Sequence, residues 1–97
     1  METYVIWRRS GWKTPEELED AAARSRQIGD EEMSDQVRWI RTYVIDEGDS
    51  LGTVCIYQAT SPEALRDHAS RVGMPADEVL RVADTVIIRP DPEPAAA

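Results

Sequence analysis

Two proline-marked helix starts divide this chain and leave few ways to fold it. Thr14-Pro15-Glu16-Glu17 is a capping box with proline in the first helical position: the threonine oxygen accepts from the backbone of Glu17, and the Glu17 carboxylate reaches back. Ser61-Pro62-Glu63 opens a second helix by the same logic. The first helix carries Leu18, Ala21, Ala22, Ser25 and Ile28 on one side and ends between Gly29 and Met33. The second carries Leu65, His68, Ala69 and Val72 on one stripe and stops at Gly73.

The segments around these helices are patterned for strands. Residues 3–9 are short and rich in β-branched and aromatic side chains (Tyr4, Val5, Ile6, Trp7) and end at Ser10-Gly11. Residues 37–45 alternate two sets, Val37, Trp39, Arg41, Tyr43 and Ile45 against Arg38, Ile40, Thr42 and Val44. Asp46-Glu47-Gly48-Asp49 supplies a turn into a second strand over 51–59, making a hairpin. A last strand is expected over 79–88, followed by a disordered Pro/Ala tail at 90–97. The order β-α-β-β-α-β predicts an α+β, ferredoxin-like sandwich: one domain over residues 1–89, a four-stranded antiparallel sheet with both helices on one face. Its other face is left open. The Trp39, Tyr43 set and the Cys55, Tyr57 set are expected there, so a second copy packing through the sheets, a homodimer, is the expected cover.

Composition narrows the function classes. With 19 acidic and 11 basic residues among 97, the formal charge of −8 repels a phosphate backbone, which argues against nucleic acid. No apolar run approaches the roughly 20 residues that span a bilayer, and Met1-Glu2-Thr3-Tyr4 lacks the basic and apolar regions of a signal peptide, so no membrane partner and a cytoplasmic location are expected. The single cysteine forms no internal disulfide. Cys55, on a strand, and His68, on the helix after it, are the side chains best suited to metal ligation or nucleophilic chemistry. Cys55 reads first as a small buried hydrophobe and His68 as a core histidine holding a backbone carbonyl. The functional alternative brings His68 onto Cys55 or Tyr57 in a cavity. There imidazole and thiolate suit nickel or another divalent transition metal, with carboxylates, waters or a second subunit completing the site. A nucleophilic Cys/His pair has no visible oxyanion-hole motif to support it. Trp7, Arg9, Trp39, Arg41, Tyr43 and Tyr57 make a second constellation, which at period two lines one sheet face for a small anionic or aromatic ligand, or for a dimer interface.

Four segments in order, Trp39-Ile40-Arg41-Thr42-Tyr43-Val44, Cys55-Ile56-Tyr57-Gln58-Ala59, Ala64-Leu65-Arg66-Asp67-His68-Ala69 and Gly73-Met74-Pro75-Ala76-Asp77-Glu78-Val79, resemble a small bacterial domain-of-unknown-function family that includes nickel-binding actinobacterial proteins. The resemblance spans residues 37–88. It implies a ferredoxin-like dimer, nickel as the cofactor, and roles for Cys55, Tyr57, Arg66 and His68, with Pro75 structural. One departure stands out: the nickel-binding members carry histidines near the end of the first strand, where this chain has Trp7-Arg8-Arg9. Guanidinium in place of imidazole removes ligands and adds positive charge, which favours an anionic organic ligand there. Three readings follow: metal binding or sequestration, a cofactor-free enzyme or ligand-binding module, and an interaction module without a ligand.

Overall fold

The computed structural model describes residues 1–76 and 78–90. Its elements are β1 (Glu2–Trp12), α1 (Pro15–Glu31), β2 (Val37–Asp46), β3 (Leu51–Ala59), α2 (Pro62–Val72) and β4 (Glu78–Arg81). The sheet has the order β2-β3-β1-β4 with every neighbouring pair antiparallel. This is the ferredoxin-like βαββαβ sandwich. No helix of the described residues is long and apolar enough to cross a membrane.

Both helices start where the capping chemistry places them. Thr14 Oγ1 accepts from Glu17 N–H at 3.2 Å and Ser61 Oγ from Ala64 N–H at 3.1 Å. The Glu17 carboxylate reaches back one residue further than the capping box anticipates, accepting from Lys13 N–H at 2.9 Å. Helix α2 ends on Gly73 at φ +87, a left-handed conformation that glycine adopts without Cβ strain, and Gly73 N–H returns to the Ala69 carbonyl. The core is built by the helix-facing side chains Tyr4, Ile6, Cys55, Tyr57 and Ala59 of the sheet with Leu65 and Ala64 of α2, and Met33 and Val37 close one end.

Three features of the strands depart from the sequence pattern. Strand β1 does not end at Ser10-Gly11. It continues to Trp12 through an irregularity: three residues lie between Arg8 and Trp12 where only one lies between their partners Thr53 and Leu51, and Ser10 takes φ +50. Strand β2 carries an extra residue at Ile40, because Trp39 pairs with Tyr57 and Arg41 pairs with the next residue, Ile56. Strand β4 covers Glu78–Arg81 only, extended by one bond from Val82 N–H to the Thr3 carbonyl. The strand expected to run to residue 88 ends its ladder at Arg81, opposite Tyr4. Of the anticipated tail, residues 91–97 lie outside the described residues.

Gly52 sits where β3 passes beneath β1. A Cβ there would lie 2.8 Å from the Arg8 carbonyl oxygen and 2.7 Å from Glu47 Oε1. The carboxylate is able to swing away, although it holds Ser10 N–H at 2.6 Å, whereas the strand backbone is not. Gly52→Ala is expected to lower stability by about 1–3 kcal/mol, the usual range for overpacking, as read by urea denaturation.

Candidate functional site

The alternation of β1 puts Tyr4, Ile6 and Arg8 on the face beneath the helices, and all three are buried. Arg8 is 2% exposed, an unusual burial for a group that remains a cation at every physiological pH. Its Nε donates to the Pro75 carbonyl at 2.6 Å and its Nη1 to Cys55 Sγ at 3.4 Å, while Nη2 has no partner. No carboxylate among the described residues pairs with it. Thr53, opposite Arg8 in the ladder, is equally buried, and its Oγ1 also lacks a partner. Arg8 and Thr53 line one small cavity of about 20 Å³, room for about one water molecule, with Cys55, Thr42 and Tyr57 around them and Trp12, Leu18, Trp39 and Met74 as its apolar boundary.

The extra residue at Ile40 makes this arrangement possible. It turns Trp39 and Thr42 to the same face, where Trp39 Nε1–H donates to Thr42 Oγ1 at 2.7 Å and Thr42 Oγ1–H donates to Cys55 Sγ at 3.2 Å. The sulfur therefore receives two donors, one a hydroxyl and one a guanidinium. Trp39 and Tyr57 stack with ring centroids 6.2 Å apart, and the Tyr57 hydroxyl shares a hydrogen bond with Ser25 Oγ at 3.2 Å. Burial pushes the Tyr57 phenol above its ordinary 10.0, so it stays protonated.

His68 meets Tyr57 edge-on at 5.8 Å between centroids, and its Nε2 lies 2.9 Å from the Ser25 carbonyl. A carbonyl only accepts, so Nε2 carries the proton and Nδ1, buried without a partner, is the bare nitrogen. Gly29 lets the ring approach α1: a Cβ there would be 3.4 Å from Nε2. Burial first, with Arg8 and Arg71 contributing, holds the His68 pKa below 6.5 against the opposing influence of the Ser25 hydrogen bond and Asp67. An unfolded histidine takes up its proton near 6.5 and the folded one only lower. The neutral ring thus contributes stability fully above pH 6.5, and that contribution is lost as the pH falls through 6.5 toward the folded value. Lowering the pH from 7.5 to 5.5 is expected to depress the melting temperature of the native chain more than that of His68→Gln, whose amide keeps the bond to Ser25. The window excludes Glu2, which Arg81 holds below 4.5.

The sequence-derived constellations are redistributed. Cys55 and Tyr57 do not belong to the open face: β3 alternation sends them under the helices, 4% and 1% exposed. The six residues expected to line one face are divided, Tyr57 from Trp7 and Arg9 by plain alternation and Trp39 from Arg41 and Tyr43 by the Ile40 irregularity. Trp39 and Tyr57 lie beneath the helices. Trp7, Arg9, Arg41 and Tyr43 lie on the other side, with Arg9 3.6 Å over the Trp7 ring and ion-paired to Glu78 at 3.0 Å, and Arg41 Nη1 3.4 Å from the Tyr43 hydroxyl. Arg66 is exposed on α2. Arg8, Thr42, Thr53 and Ser25 were not singled out as site residues from the sequence. The signal for Arg8 was its place as the next member of the period-two series Tyr4, Ile6.

A divalent cation does not fit these donors. His68 has only its bare Nδ1 to offer, since Nε2 is committed to a carbonyl, the Cys55 sulfur faces a guanidinium, and among the described residues no three His, Cys, Asp or Glu side chains gather to hold a metal. With Tyr57 protonated and His68 neutral, the buried charge belongs to Arg8, and the cavity is suited to negative charge.

The fold is shared with the crystal structure of SCO4226 from Streptomyces coelicolor A3(2), at a TM-score of 0.70 and 18% identity, over 87% of this chain and 99% of that one. No curated protein matches the chain. The family described as nickel responsive protein SCO4226-like matches residues 4–82. The chain belongs to this SCO4226-like family.

Proposed function

We propose that this chain is a small-ligand-binding member of its nickel-responsive family, taking a small anionic group into the cavity between sheet and helices, against Arg8. The observation that carries the reading is the Arg8 Nη2, buried and without a partner beside the equally unpartnered Thr53 Oγ1. A buried donor on a cation is costly to leave unmade, and an oxyanion spanning Nη2 and Thr53 Oγ1–H satisfies both. The test is thermal unfolding with formate and nitrite, the smallest oxyanions, as separate probes, beside chloride at equal ionic strength. An anion at ten times its dissociation constant is expected to raise the melting temperature by about 6–11 °C in a domain of this size. No shift beyond chloride with any probe would sink the reading. Nickel response would on this view be indirect. Elemental analysis of tag-free protein equilibrated with nickel tests that point: nickel near one per subunit, lost in His68→Ala, would restore Cys55 and His68 as ligands.

A second reading concerns the open face. Tyr43, Ile45 and Leu80 are exposed there, and the segment beyond β4, which faces Ile56 and Tyr43 across an open cleft of about 570 Å³, exposes Val86, Ile87 and Ile88 at 78%, 77% and 79%. Three adjacent β-branched side chains so exposed favour a second copy as their cover. Ile87→Glu is expected to shift a dimer to monomer in sedimentation equilibrium. A native chain that is already monomeric at high concentration removes the homodimer.

A further inference from the structure

The single cysteine is placed as a reactive thiol would be. Cys55 Sγ is the convergence point of the Thr42 hydroxyl at 3.2 Å and Arg8 Nη1 at 3.4 Å, and Trp39 Nε1–H, 2.7 Å from Thr42 Oγ1, fixes that hydroxyl so that its proton goes to the sulfur. Two donors, one cationic, accommodate negative charge on sulfur, the form in which a thiol attacks. The space next to the sulfur is small, about 20 Å³, and its wall is mostly apolar; Arg8 and Thr53, each at least 98% buried, are among the residues that line it, and their Nη2 and Oγ1 lack partners. That volume admits an occupant little larger than water and excludes bulky electrophiles.

We propose that Cys55 is a peroxide-reactive thiol, with Arg8 and Thr42 activating the sulfur and Arg8 Nη2 and Thr53 Oγ1–H positioning hydrogen peroxide. This rests on the pocket reading given above and adds a reaction to it. The sulfur attacks the nearer peroxide oxygen. The S–O bond forms as the O–O bond breaks, and the thiol proton leaves with the departing oxygen as water. Sulfur is oxidised by two electrons, peroxide is reduced by two, and Cys55 becomes a sulfenic acid. The chain has one cysteine, so no internal thiol condenses with that product. Recovery requires the helix layer to open far enough for a low-molecular-weight thiol, which displaces water to give a mixed disulfide and is followed by a second thiol that releases Cys55.

The experiment treats reduced full-length protein with hydrogen peroxide for timed intervals in buffer or in urea, removes the peroxide with catalase, then unfolds every sample in urea containing dimedone and follows the sulfenic adduct at Cys55 by mass spectrometry. Burial alone protects a thiol, so an inert core cysteine reacts more slowly folded than unfolded. The expected result is the reverse, with the folded chain faster by about tenfold or more, and Thr42→Val slowing the folded reaction by about tenfold, the equivalent of one hydrogen bond. A folded rate at or below the unfolded rate overturns the proposal, as does a fast folded rate unchanged in both Thr42→Val and Arg8→Met. Anion-dependent stabilisation is measured in parallel in Cys55→Ser. That variant keeps Arg8 and Thr53, so loss of the peroxide chemistry and failure of the anion site are read separately.

Discussion

Arg8→Met is expected to unfold no earlier than the native chain in anion-free buffer, and to lose the whole of the anion-dependent rise in melting temperature. The two halves of this outcome have one cause. Arg8 is buried with no carboxylate partner among the described residues, so the folded state carries a desolvated charge compensated by one carbonyl at 2.6 Å and a thiol at 3.4 Å. Replacing a buried charged group by an apolar one of similar volume is often neutral or stabilising by about 1–4 kcal/mol. Methionine fills the stem of the arginine site flexibly and leaves only the Pro75 carbonyl to find water, on a residue already exposed. The bound state loses its only buried cation. An Arg8 kept for architecture alone would give the opposite sign in buffer, a clear fall in stability, with no change in the response to formate or nitrite. Unfolding with and without anion, on both proteins, separates the two.

Leu65→Ala is expected to cost about 2–5 kcal/mol, a large part of the roughly 5–15 kcal/mol that holds a domain together. Leu65 is 0% exposed, on the α2 stripe that packs against the sheet, and two of its helix neighbours on that stripe, Ala64 and Ala69, are already small. Little side-chain volume nearby is available to refill the void, which places the cost toward the upper part of the range. The midpoint of urea unfolding should fall with the slope unchanged, because the surface exposed on unfolding is almost the same. A loss under about 1 kcal/mol would mean that α2 settles onto the sheet to close the gap.

The fold was legible because its punctuation is local. Thr14-Pro15 and Ser61-Pro62 act within a single turn, Gly73 is read from one residue, and Asp46 to Asp49 closes the hairpin on itself, with Glu47 N–H on the Ser50 carbonyl at 3.1 Å. The site was legible in part. The sequence pointed to Trp7-Arg8-Arg9 as a place for an anion but took Arg9 as the site residue, because only the neighbouring ladder and α1 show that Arg8 is the arginine beneath the helices. Which face each residue of β2 takes was not legible at all. Period-two reading assumes an uninterrupted ladder, and nothing in Trp39-Ile40-Arg41 marks Ile40 as the residue left over. The partner of His68 was equally hidden. The stripe on α2 shows that the ring is buried, whereas the Ser25 carbonyl comes from a helix 43 positions away in the chain.

The residue left over in β2 carries a last consequence. Removing one residue from the middle of a strand ordinarily sends every later side chain to the wrong side of the sheet. Here Trp39 and Arg41 already occupy successive rungs opposite Tyr57 and Ile56, and Ile40, 47% exposed, belongs to neither. A chain lacking Ile40 would keep Thr42 opposite Cys55 and Tyr43 opposite Val54. A related sequence one residue shorter at this point, aligned without a gap at Ile40, would appear to exchange its inner and outer residues where none had changed place.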